Sequence, residues 1–147
     1  MDPLRVAELE RRLGYRFRDP FLLEEALTHA SFANEHPPAA DHARLAFLGD
    51  AALGLVVADH VITANPAATV GELTSRRALL VTGARLTRWA VELELGALLR
   101  LGRGEDQSGG RVRDSILASA LEAVLGAIYR EGGLDEVRLV LGRLAAW

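Results

Sequence analysis

Apolar side chains recur three and four positions apart through most of the 147 residues, and the strict alternation of a half-buried strand is nowhere sustained, so the chain reads as all-α. Asp2-Pro3 is a cap followed by a first-turn proline, and predicts a helix to Leu13 with Gly14 beyond it. Asp19-Pro20 repeats the signal and opens a helix whose Leu23, Ala26, Leu27 and Ala30 share a stripe. Paired prolines enforce a loop over Asn34–Asp41, and a third helix starts at His42 and runs to about Val61. Thr69 and Glu72 have the spacing of a capping box, which makes Glu72 a cap rather than a catalyst. The helix they open reaches about Thr82, and Gly83 separates it from another over Ala84–Leu95. A glycine-rich loop over Leu101–Arg111 precedes a helix from Ile116 to Glu131, capped by Asp114 or Ser115 and closed by Gly132-Gly133. A final short helix takes the chain from Leu134 to Trp147.

Two of these helices are too apolar to be ordinary surface helices. From Ala43 to Ala58 the only charged residues are Arg44 and Asp50, and from Ile116 to Tyr129 the only one is Glu122. A helix apolar on all sides is central to the core or shared with a partner. An ionised carboxylate in such surroundings costs several kcal/mol unless a cation, hydrogen-bond donors or water reach it. Each acid is therefore either a hydrogen-bonded or groove-facing residue or one of two that converge on a divalent cation such as Mg²⁺. Helical spacing puts Ala46 one turn before Asp50 and Ser119 one turn before Glu122. Four acids at those positions would form a cage for metal-assisted phosphodiester hydrolysis, and only two are present.

Composition narrows the classes. The chain has no cysteine, which removes disulfides, thiolate metal sites and thiol nucleophiles and suits a reducing compartment. No basic and apolar leader opens it, and uninterrupted apolar runs fall short of the ~18 residues of a membrane span, so a cytoplasmic protein of one domain over residues 1–147 is expected, with no membrane partner. All 17 basic residues are arginine, but 20 acids outnumber them, so a nucleic-acid surface would have to be a local patch. Arg76, Arg77, Arg85 and Arg88 form one candidate, and Arg100, Arg103, Arg111 and Arg113 another; a solvated charged face is the alternative for both. The glycine-rich loop lacks the lysine and hydroxyl of a phosphate loop, and no small-molecule cofactor is expected. His29 reads as a core or capping histidine, and His36 and His42 lack zinc spacing.

The stretch "HARLAFLGDA" from His42 to Ala51 resembles the signature of the bacterial-type ribonuclease III endonuclease domain, Asn-Glu-Arg-Leu-Glu-Phe-Leu-Gly-Asp-Ala, with its glutamates missing. Three further blocks are similar in order: "LGYRFRDPFLLEEALTHASF" from Leu13, "GELTSRRALLV" from Gly71, and "SGGRVRDSILASALEAVLGAIYREGG" from Ser108. The resemblance implies an all-helical fold, a two-fold homodimer, a valley for double-stranded RNA, and Mg²⁺ or Mn²⁺ held by four carboxylates per subunit. Asp50 and Glu122 match two of the four; Ala46 and Ser119 occupy the positions of the others, and Ala43 and Val70 stand where further acids are common. Phe47 matches the ring that plugs into a socket on the other subunit, worth roughly 1.5–3 kcal/mol of burial, with Leu48 beside it at the expected interface. An ordinary core phenylalanine is the alternative for Phe47, and Arg44 is expected to be structural. The separate double-stranded RNA-binding domain of bacterial members is not expected within these residues.

With two ligands gone, divalent-ion binding is expected to be weakened and hydrolysis impaired or lost. The leading expectation is thus a ribonuclease III-like homodimer of RNA processing that keeps the fold and duplex recognition but cuts poorly or not at all. An active Mg²⁺-dependent endoribonuclease working with a reduced site, and a non-catalytic helical module for protein or ribosome contacts, are the alternatives.

Overall fold

The computed structural model describes residues 1–147. It contains no strand; a single isolated bridge joins Thr28 to Arg100. Helix α1 (Pro3–Leu13) begins where the Asp2 carboxylate accepts the Leu4 N–H and ends at Gly14, whose φ of 68° suits a residue without a Cβ. Helix α2 (Pro20–Ala26) is capped in the same way by Asp19. It stops at Leu27, so Ala30 does not share its stripe but opens a separate helix, α3 (Ala30–Glu35). His29 caps α3: its Nδ1 accepts the Ser31 N–H at 3.1 Å.

Helix α4 (Ala43–Ala64) runs three residues beyond the predicted end because nothing before Asn65-Pro66 interrupts its backbone ladder. Both halves of the Thr69–Glu72 capping box are formed at the start of α5 (Val70–Leu80). Gly83 is not a separator: Thr82 caps α6 (Gly83–Glu92), and glycine occupies its first turn. That helix ends short of Leu95, because Glu94 takes a left-handed φ of 56° and turns the chain into α7 (Leu95–Leu98). The glycine-rich stretch is not all loop; it holds the short α8 (Arg103–Gln107) and a 3-10 turn over Gly110–Val112.

Helix α9 (Asp114–Ala145) starts after Arg113 without a side-chain cap, contrary to the expected role of Asp114 or Ser115. Asp114 instead occupies the first turn, where its charge complements the helix dipole. The predicted break at Gly133 is present as a non-helical residue (φ 82°, ψ −177°) between two helical halves. One hydrophobic cluster of 32 buried side chains joins all the long helices except α5. The first half of α9 is its axis, with Ala120, Leu121, Ala123, Val124, Leu125, Ala127 and Ile128 fully buried.

The second apolar helix behaves differently. One side of α4 (Leu45, Ala52, Leu53, Val56, Val57, Val61) packs into the cluster, while Phe47, Leu55 and Ile62 on its other side are 82%, 56% and 57% exposed. By length and composition α4 is able to cross a membrane, which the sequence reading did not anticipate. Here it is a core helix laid against α9.

Candidate functional site

The site begins with two glycines. At the crossing of α4 and α9, a Cβ on Gly49 would lie 1.7 Å from the carbonyl oxygen of Glu122, and one on Gly126 would lie 2.1 Å from that of Leu45. The two backbones touch, which no side chain larger than hydrogen permits. An isolated glycine inside an apolar helical run was the available signal for this approach. Its consequence is electrostatic, because it draws together the carboxylates on either side of the crossing. Asp50, next to Gly49, is exposed; Glu122 is half-buried.

Glu122 is pushed up to about pH 7 from an ordinary 4.5, first by burial and then by repulsion from the Asp50 carboxylate. No cation or hydrogen-bond donor offsets either effect. The sequence question therefore resolves differently for each acid: water solvates Asp50, whereas Glu122 retains a proton near neutrality.

Ala46 and Ser119 are half-buried on the same two helices. Ala43 and Val70 are exposed in the first turns of α4 and α5. The resemblance noted in the sequence implies a divalent metal, so the donor set can be tested against one. Nowhere in the molecule do three His, Cys, Asp or Glu side chains converge. Two carboxylates, with a methyl and a single hydroxyl on the adjoining turns, are too few charged oxygen donors to fit a resident hydrolytic cation.

Beside the acid pair, Phe47 stands out from α4 next to an open groove of about 960 Å³ lined by Leu22, Glu25, Ala43, Arg44, Leu48 and Arg130 among others. Its exposure removes the core-phenylalanine alternative. Arg44 is exposed in that groove rather than packed as a structural residue. The second arginine cluster is largely paired with acids: Arg100 meets Glu24 at 2.5 Å and lies over the Phe32 ring, Arg111 meets Asp106 at 2.9 Å, and Arg113 pairs with Glu105, whereas in the first cluster only Arg88 approaches an acid, Glu92 at 4.0 Å. Arg76 bonds the Asn65 side chain, and Arg85 lies over Trp89. His42 is 7% exposed and sits edge-to-face with His29; burial holds its pKa below the ordinary value.

One organising residue escaped the sequence reading. The Glu131 carboxylate accepts hydrogen bonds from the Tyr15 hydroxyl at 2.9 Å and from the Arg18 and Asp19 N–H groups at 2.8 and 3.1 Å. It ties the α1–α2 connection to α9, and these bonds hold its carboxyl below the usual range despite burial. Nothing local marks it, because its partners lie more than a hundred positions away.

The all-helical fold and its glycine-mediated crossing, with an acid on each side, can be set against known proteins. The family model described as Ribonuclease-III-like matches residues 19–145. Ribonuclease 3 of Heliobacterium modesticaldum is 51% identical over 138 residues, 92% of this chain and 59% of that protein. Ribonuclease 3 of Symbiobacterium thermophilum is 50% identical over 145 residues, 98% of this chain and 61% of that protein. The solved nuclease domain of ribonuclease III from Campylobacter jejuni superposes with a TM-score of 0.89 at 37% identity, covering 95% of this chain and 94% of that one. The chain belongs to the ribonuclease III-like family, and it spans about three fifths of the length of these curated relatives.

Proposed function

We propose that residues 1–147 act as one homodimeric ribonuclease III-type unit in RNA processing that recognises double-stranded RNA and is strongly impaired in cutting it. The observation that carries this reading is the pairing of Asp50 and Glu122 across the helix crossing with Ala46 and Ser119 on the adjoining turns. Positioning alone does not hydrolyse a phosphodiester; something must polarise the phosphate and activate water, and the present donors are too few to fix a cation for that task. Asp50 and Glu122 remain the only acids that a weakly bound Mg²⁺ or Mn²⁺ would meet there.

The homodimer is supported by the exposed Phe47 ring beside the groove that Leu48 lines, a knob and a hole that a two-fold axis would mate with a second copy. It is also supported by the Campylobacter jejuni nuclease domain, whose study concerned structural flexibility in a region involved in dimer formation. Duplex recognition rests on family membership and on arginine contacts to the A-form backbone. Such binding is shape-led and weakens with salt. We place the unit in the cytoplasm, which a cysteine-free chain suits.

The deciding experiment incubates end-labelled duplex RNA with the chain and with the Ala46→Glu/Ser119→Asp double variant, in Mg²⁺ and separately in Mn²⁺. The unsubstituted chain is expected to leave the duplex intact while the double variant binds the cation measurably in a calorimeter and gains cleavage. Robust cutting by the unsubstituted chain that disappears in Asp50→Asn would replace this reading with an active enzyme using a reduced site. Absence of duplex binding even at low salt would leave only the protein-contact module.

A further inference from the structure

Helix α5 is the only helix longer than seven residues that buries none of its side chains. Its inward stripe is incompletely covered: Leu73 and Leu80 are half-buried, but Val70, on the same stripe, is 81% exposed. It packs chiefly on α4. The hydrogen bonds of this segment are all local. The capping box joins Thr69 to Glu72, the Thr74 hydroxyl bonds the Val70 carbonyl, Arg76 reaches Asn65, and Thr82 caps the helix that follows. No hydrogen bond or ion pair ties residues 66–82 to any part of the chain beyond its immediate neighbours. An 11-residue helix without substantial tertiary packing is marginal in water, and a capping box alone does not hold it. Elements with few buried apolar contacts open at the low end of a protein's stability range.

The helix on which α5 packs also keeps an uncovered apolar side. Phe47, Ala51, Leu55 and Ile62 follow one another at spacings of four, four and seven on that helix, and all are exposed. A second copy seated on this stripe through Phe47 would also reach the helix that packs on α4. We propose that α5 is a conditionally folded element: a second copy of this chain covers Val70 together with Leu55 and Ile62, and α5 is stably helical only in the dimer. This inference rests on the homodimer reading given above. It makes assembly a folding step for residues 66–82.

Hydrogen exchange on the full chain, read by mass spectrometry, tests this at concentrations above and below dimer dissociation and in Phe47→Asp. Sedimentation equilibrium run in parallel establishes which species is present. Phe47 is 82% exposed, so aspartate disturbs no packing within one copy, and dilution of the unsubstituted chain supplies the same readout without any substitution. The amides of residues 70–80 are expected to exchange on the order of 10- to 100-fold faster in the monomer, while those of residues 116–128 change little. Equal protection of α5 in monomer and dimer overturns the proposal, as does a dimer in which α5 stays unprotected. A chain that sediments as a monomer at every concentration overturns the homodimer reading itself, independently of the exchange result, and this proposal falls with it.

Discussion

The two sides of α4 obey different rules. Its inner side meets α9 through backbone atoms at Gly49, and the residues around that point are almost without exposed surface. Its outer side carries Phe47, Asp50, Leu55 and Ile62 into solvent. On the inner side shape decides everything, because close-packed atoms have nowhere to move. On the outer side, side chains can change while the fold persists, and their identity bears on what the molecule can bind. Alanine at position 46 and serine at position 119 are compatible with an intact crossing one turn away, so side chains on the rim can vary while the fold persists.

Substitutions can break or sharpen this contrast. Gly49→Ala forces a methyl to 1.7 Å from the Glu122 carbonyl oxygen, so the helices must separate; a loss of at least about 3 kcal/mol is expected in urea unfolding. Failure to see it would mean that the crossing is looser than its geometry.

Glu122, on the rim, has a smaller effect with a definite pH signature. Its folded carboxyl holds a proton up to about pH 7, whereas an unfolded glutamate releases it near 4.5. The folded state thus binds more protons between those values, and stability falls as pH rises through that window before levelling off. Glu122→Gln removes this slope and is expected to be more stable than the unsubstituted chain above pH 7 by about 1–2 kcal/mol, allowing for solvent screening. Parallel stability–pH curves for the two proteins would contradict the raised value.

The mildest change is Gly54→Ala, on the same helix as Gly49 but with nothing within 4 Å of the added methyl. Alanine there is expected to raise stability by about 0.5–1 kcal/mol, because it restricts the unfolded chain without straining the folded one. Thermal melts of Gly49→Ala and Gly54→Ala side by side should therefore move in opposite directions.

Much of this molecule could be read from neighbouring residues. Asp2-Pro3, Asp19-Pro20 and the Thr69–Glu72 box announced helix starts, and His29 was legible as a capping histidine, because caps involve partners within four positions. Where the reading erred, the deciding interaction was also short-ranged but ambiguous. Gly83 served as a first-turn residue rather than a separator, and Glu94 adopted a left-handed turn that glutamate rarely takes.

The sequence by itself determined that two apolar helices exist, that each carries a single acid in its central stretch, and which residues stand one turn away from those acids. Periodicity supplies the angle at which a side chain leaves its own helix and says nothing of what lies opposite. Only the tertiary structure decided that the first half of α9 is enclosed while α4 keeps one side open, that Gly49 and Gly126 let the backbones touch, and that Asp50 is exposed while the half-buried Glu122 holds its proton more tightly than an ordinary glutamate. Burial and repulsion depend on segments some seventy residues apart being brought together, and no local pattern records that distance.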